Sequence, residues 1–195
     1  MILPIISYGT SILKRKAQEV DLRNPNLKKN IEDMWETMYA ASGVGIAAPQ
    51  VGLSLRLFLV DGTPFYEDDQ IEDNYKYQLK NLKKVFINPK IIETGKEWCF
   101  NEGCLSIPDI REDIYRKEEI EIEYFDEKFD LKKENYSGLA ARIIQHEFDH
   151  IEGILFTDKL SSLKKKMLNG KLMDISKGKV SVNYLMKFPV NKKRI

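Results

Sequence analysis

The chain has 195 residues, 43% of them hydrophobic and 31% charged, which suits one globular domain with a real core. Lys+Arg number 31 against 30 Asp+Glu, a formal net charge of +1, so no global field draws it to nucleic acid or to an anionic membrane. The basic clusters Lys164-Lys165-Lys166 and Lys192-Lys193-Arg194 read as solvated surface.

Residues 1–10 read as extended, and 11–16 as a short helix carrying Leu13. Asn24-Pro25 is a helix-start signal, Asn at the cap and Pro in the first turn. Leu27, Ile31, Met34, Trp35 and Met38 then recur at helical spacing through Tyr39, predicting a core-facing helix that Gly43 ends. The stretch Gly43-Val44-Gly45-Ile46-Ala47-Ala48-Pro49-Gln50 is rich in small residues. Its glycines would let backbone approach a ligand closely, and an ordinary loop explains them equally well.

Leu55 to Val60 is a strand candidate, ended by Asp61-Gly62. Residues 63–82 are polar and acidic and read as a surface insertion. Val85 to Pro89 and Ile91 to Glu93 read as strands, with Gly95 as punctuation. Glu119 to Tyr124 alternates strictly, as a half-exposed strand does, and Phe129 to Lys132 would pair with it as a hairpin. Ser137 stands where a cap for the next helix belongs. A short basic helix is expected over 161–169, and the alternation from Val180 to Tyr184 predicts a strand near the C-terminus. The class is α+β: antiparallel strands packed around a central helix carrying HExxH.

That helix holds both histidines of the chain, in His146-Glu147-Phe148-Asp149-His150. Positions i and i+4 share one helix face. Two imidazoles so placed can hold a divalent metal, with the intervening glutamate as general base. Leu139 and Ile143 extend the same stripe, so the histidines would face inward. A catalytic ion of this kind takes three protein ligands and one open position. The third could be Cys104, Cys99, Glu152 or Asp158; Glu102-Gly103-Cys104-Leu105-Ser106 is the most site-like setting, and Cys99 between Trp98 and Phe100 reads as a buried structural thiol. The two cysteines are too close in sequence for a disulfide to staple much, so free thiols in a reducing compartment are expected. The N-terminus lacks a basic leader pattern and no stretch approaches a membrane span, which places the chain in the cytoplasm without a membrane partner.

Three motifs, in order, resemble those of the peptide deformylase family, metallohydrolases that remove the N-formyl group from nascent bacterial proteins. Gly43 to Gln50 is similar to the family's GxGxAAxQ, Glu102 to Ser106 to its EGCLS, and Gln145 to His150 to its QHExDH. The resemblance covers roughly residues 3–160 and departs at Ile46, at Pro49, in the 63–82 insertion and in the tail over 175–195. It implies a single catalytic domain over residues 1–195 and one divalent metal held by Cys104, His146 and His150. That ion would be Fe²⁺ in the cell, with Zn²⁺, Ni²⁺ or Co²⁺ also able to occupy the site. It implies that Glu147 takes a proton from the attacking water and passes it to the leaving amine, releasing formate. Gln50 and the Leu105 backbone N–H would stabilise the oxyanion, and the Gly45 backbone would hold the substrate. Val44, Phe100, Leu139 and Ile143 match residues lining the methionine slot, and Arg111 matches an arginine near the substrate backbone. The implied partners are N-formylmethionyl nascent peptides and the ribosome near its exit tunnel. Some members reach the ribosome through a terminal helix, whereas Gly178 and the alternation after Val180 argue for a strand here. Two other readings of HExxH are a peptidase that cleaves internal bonds and a structural metal module; the first leaves Cys104 idle and the second leaves Glu147 without a purpose.

Overall fold

The structure, a computed structural model, describes residues 1–68, 76 and 78–189. Parts of the expected insertion (69–75 and 77) and the end of the tail, with Lys192-Lys193-Arg194, lie outside the described residues. A five-stranded antiparallel sheet runs in chain order through β2 (Gly45–Ala47), β3 (Leu57–Asp61), β4 (Lys83–Cys104), β5 (Ile107–Phe125) and β6 (Leu131–Ser137). Separately, β1 (Ile5–Ile6) pairs in parallel with β7 (Met186–Lys187). The helices are α1 (Leu27–Ala40), α2 (Thr63–Glu67), α3 (Gly138–Ile151) and α4 (Ser162–Ser176). No helix among the described residues is long and apolar enough to cross a membrane.

The centre of the sheet is covered on both faces. Successive side chains of a strand point to opposite sides. In β3, Leu57 and Leu59 pack with Met34 and Met38 of α1, while Phe58 and Val60 pack with Leu139, Ala140 and Ile144 of α3. Every residue of β3 is therefore buried, and its run of apolar residues reflects two covered faces. In α3, only His146 and Phe148 escape full burial. This helix threads the interior, so a polar side chain on it that lacks a partner is costly.

Several local expectations shift. The helix proper starts at Leu27, after a turn in which Asn24 Oδ1 accepts from the Asn26 N–H at 3.0 Å. The left-handed residue after α1 is Ser42 (φ 54) and not Gly43; Gly43 is needed for space, since a Cβ there would lie 2.9 Å from Leu105 Cδ1. Pro89 and Gly95 do not end strands: β4 runs through both, with bulges between Ile87 and Lys90 and between Thr94 and Glu97. A bulge accommodates a residue that cannot donate to the ladder. Leu79 and Leu82 are fully buried and anchor the end of the 63–82 stretch. Ser137 occupies the cap position of α3, but its hydroxyl donates to Gln78 Oε1 at 3.5 Å instead. Helix α4 runs beyond residue 169 to Ser176. Gly170 in its middle costs about 1 kcal/mol relative to Ala, which burial of Leu172 and Ile175 offsets. The C-terminal strand is Met186–Lys187; Val180 to Tyr184 forms no strand.

Candidate metal centre and active site

The β4–β5 hairpin turns on Leu105 and Ser106, with Cys104 paired to Ile107 across the turn. This places the Cys104 thiol against α3. Its Sγ lies 3.3 Å from His150 Nε2, and one donor atom from each of Cys104, His146 and His150 falls within 4.8 Å of the others. The other proposed third ligands are engaged elsewhere. Cys99 is exposed, not buried as its aromatic neighbours suggested; it points away from the side on which Phe100 meets the cavity. Glu152 pairs with Arg56 and Lys16, and Asp158 pairs with Lys14 and accepts from the Leu155 N–H.

A buried carboxylate fixes His146. Glu102 Oε2 lies 2.9 Å from His146 Nδ1, which leaves the other ring nitrogen to face the cysteine side. Glu102 is in turn held by Arg116 (Nε to Oε1, 2.7 Å; Nη2 to Oε2, 3.0 Å) and by Arg142 Nη1 at 2.9 Å. Arg116 also donates to Asp149 Oδ2 at 2.6 Å. Burial works against ionised Glu102, yet the contacts with His146 and Arg116 win and hold its pKa well below the usual carboxylate range. Such partners orient a ligating histidine and raise its basicity.

The electrostatics of the two imidazoles diverge. Burial disfavours protonated His146, but the Cys104 sulfur and Glu102 outweigh burial and raise its pKa well above the ordinary value. Burial, then His146 and Arg116, push His150 well below it. A sulfur, two imidazoles and a buried anion behind one of them suit a single divalent cation of borderline softness. The residues fit the group.

Glu147 stands beside these ligands. Its Oε2 is buried with no hydrogen-bond partner among the described residues, and burial lifts its pKa to about 7 despite the opposing pull of His146 and Arg116. A buried carboxyl without a partner costs free energy in the resting fold. It is also tuned near neutrality, as a proton acceptor at physiological pH requires. Gln50 approaches from the turn after β2. Its Oε1 accepts from the Ala47 N–H at 2.8 Å, which fixes the amide so that Nε2 faces Cys104 Sγ (3.5 Å) and Ser106 Oγ (3.4 Å).

Cys104 and His146 of this group open onto a cavity of about 870 Å³. Val44, Gly45, Gln50, Phe100, Leu105, Arg111, Leu139, Ile143, His146 and Glu147 all line it, so the structure brings the site residues named from the sequence to one place. Leu139 and Ile143 are buried, Val44 and Phe100 half-buried. Arg111 sits at the rim, its Nε and Nη2 donating to Asn101 across the hairpin at 2.9 and 2.7 Å. Sequence reasoning did not single out Glu102, Arg116, Arg142 or Asp149 for a role. Glu102 and Asp149 lay inside the motifs already quoted; nothing in the sequence marked Arg116. Phe65 and the tail residues Ser181 to Tyr184 also line the cavity unannounced.

Residues 2–166 match the family model described as polypeptide deformylase. The chain belongs to that family. It is 59% identical over 194 residues to the peptide deformylase of Christiangramia forsetii, covering 99% of each chain. The solved deformylase of Ehrlichia chaffeensis superposes with a TM-score of 0.80 at 32% identity, over 92% of this chain and 99% of that one. The same enzyme in complex with actinonin gives 0.78 at 30% identity, over 92% and 99%. The chain is thus a metal-dependent hydrolase that removes the N-formyl group of formyl-methionine from newly made polypeptides, releasing formate.

Proposed function

We propose that Cys104, His146 and His150 hold the metal and that Glu147 carries the proton in deformylation. The observation that carries this assignment is the Glu147 carboxyl, buried, unpartnered at Oε2 and raised to about 7, beside three converging donor atoms. When bound, the ion supplies Lewis acidity, polarising the formyl carbonyl and lowering the pKa of a water. Glu147 would accept a proton from the attacking water as it adds to the formyl carbon. It returns the proton to the peptide nitrogen as the C–N bond breaks, so formate leaves and a free amine remains. Gln50 Nε2 and the Leu105 N–H donate to the oxygen on which negative charge develops. The Gly45 backbone holds the substrate chain, and Arg111 stands near it at the rim.

The methionine side chain occupies a slot made by Val44, Phe100, Leu139 and Ile143. An aspartate there would lose its hydration without a partner, so formyl-Asp peptides are poor substrates. The ion in the cell is Fe²⁺, with Zn²⁺, Ni²⁺ or Co²⁺ able to replace it; the thiolate and imidazole donors accept all four. All 195 residues act as one catalytic domain, in the cytoplasm, where nascent chains emerge and thiols stay reduced. The encounter takes place near the ribosomal exit tunnel.

Formate release from a formyl-Met peptide, by protein purified without air, tests the assignment. Glu147→Ala should keep its metal and lose turnover about 10²–10⁴-fold. A variant that keeps near-normal turnover would overturn the role of Glu147. Activity that survives aerobic purification with only zinc bound would overturn iron.

A further inference from the structure

The tail between α4 and β7 takes no part in the chemistry above, yet Ser181, Val182, Asn183 and Tyr184 line the active-site cavity. The Tyr184 hydroxyl donates to the Leu105 carbonyl oxygen at 2.8 Å. On its other side the Leu105 side chain packs against Gly43, where a Cβ would lie 2.9 Å from Leu105 Cδ1. The turn that carries Leu105 is therefore held between Gly43 and the tail.

The tail is a thin partition. Behind it, Val182, Asn183 and Tyr184 also border a second cavity, of about 390 Å³, against Leu3 and Ile5. Downstream it is pinned where Leu185 O and Lys187 O accept from the N–H groups of Ile5 and Ser7 at 2.8 and 2.9 Å. Among the described residues, the backbone of 181–184 makes no backbone hydrogen bond. The phenol of Tyr184 is thus the tie that sets how far this segment stands from the Leu105 turn.

A cavity of about 870 Å³ lies near the top of the roughly 300–1,000 Å³ that holds a drug-sized ligand. That is more than one methionyl residue fills. The slot for that residue comes from Val44 just before β2, from β4 and from α3, and not from the tail. On the tail side the cavity is lined by uncharged residues, Ser181, Val182, Asn183 and Tyr184. Such a surface suits an extended peptide backbone of varied sequence.

We propose that Ser181 to Tyr184 form a wall of the substrate cleft that contacts the peptide beyond its first residue, with Tyr184 as the residue that positions it. The inference rests on the deformylase reading of the same cavity. Its test is a comparison of kcat and KM for a formyl-Met dipeptide and a formyl-Met tetrapeptide, in wild type, Tyr184→Phe and Asn183→Trp. Tyr184→Phe removes one hydrogen bond and should raise the tetrapeptide KM about three- to tenfold, moving the dipeptide KM less and kcat little. Asn183 is exposed, so Asn183→Trp tolerates folding and should narrow the cleft, again to the cost of the longer peptide. KM rising equally for both peptides, or unchanged for the tetrapeptide in both variants, would remove the wall. Wild-type protein that releases no formate from either peptide would remove the deformylase reading itself.

Discussion

A Cβ built on Gly45 would stand 2.5 Å from Glu147 Oε1 and 2.8 Å from Glu147 Cδ. The backbone of β2 is packed against the carboxyl assigned as proton carrier, and only a hydrogen on Cα fits between them. Gly45 sits in β2 with extended geometry, so the requirement is space and not left-handed backbone. Gly45→Ala must push either the strand or the carboxylate aside. Displacement of a catalytic group by a fraction of an ångström to one ångström costs on the order of 10²-fold in rate. We expect kcat to fall by about that factor while the metal stays bound. Metal analysis and formate release on the same sample check it, and full activity in Gly45→Ala would show that Glu147 has freedom the packing denies.

Glu102 links the metal site to the stability of the fold. It is buried and touches His146, Arg116 and Arg142 together. Removing one partner from a buried ion network leaves uncompensated charge and costs about 3–5 kcal/mol. Removing the group that orients a ligating histidine costs about 10–100-fold in metal affinity. Glu102→Ala should therefore show both a lower melting temperature and weaker metal retention against a chelator. Loss of stability with unchanged metal affinity would make Glu102 purely structural.

The motifs were legible because each packs its chemistry into a few consecutive residues: two imidazoles and a carboxyl in one helical turn, a thiol in a tight hairpin. Arg116 was not legible. It lies on β5 among Arg111, Lys117, Glu118 and Glu119, and no one-dimensional pattern tells which charge of such a run is buried against Glu102. Cys99 misled for a related reason. Flanking aromatics suggested burial, but alternation along β4 turns Phe100 toward the cavity and Cys99 outward. The tail misled because its strand is set by pairing with Ile5 and Ile6, a partner nearly the whole chain away. The alternation from Val180 to Tyr184 has no such partner among the described residues, and Ser181 to Tyr184 line the cavity instead.

A half-buried carboxylate, Glu134, makes stability depend on alkaline pH. Glu134 Oε2 accepts from the hydroxyls of Tyr124 (2.7 Å) and Tyr136 (2.6 Å). Burial first, then Glu134, raises the pKa of both phenols above the ordinary value. A group whose folded pKa is raised contributes stability below its unfolded pKa, about 10 for tyrosine, and loses it as pH rises beyond that. The melting temperature should fall steeply above about pH 10, and the Tyr124→Phe/Tyr136→Phe double variant should show a shallower fall. Equal slopes in the two proteins would assign alkaline loss to other groups.

Gln50 separates catalysis from architecture most cleanly. Its Oε1 is spent on the Ala47 N–H, and its Nε2 is left with two long contacts, to Cys104 Sγ and Ser106 Oγ. The short bond aims the amide; the long ones leave its donor available for a better acceptor. An oxyanion forming beside the ligands would be such an acceptor, and the amide adds no charge that competes with the ion. Losing one donor of this kind costs about 2.7–4 kcal/mol in the transition state. Gln50→Leu keeps the bulk and removes the donor, so kcat should fall about 10²–10³-fold with little change in KM. It also strands the Ala47 N–H, a buried donor whose loss costs about 1–3 kcal/mol of stability. Gln50→Glu distinguishes the two effects, because a carboxylate can still accept from Ala47 but cannot donate. If Gln50→Glu restores the melting temperature and leaves kcat low, Gln50 acts on the reacting oxygen. If kcat recovers together with stability, its role is to hold the turn.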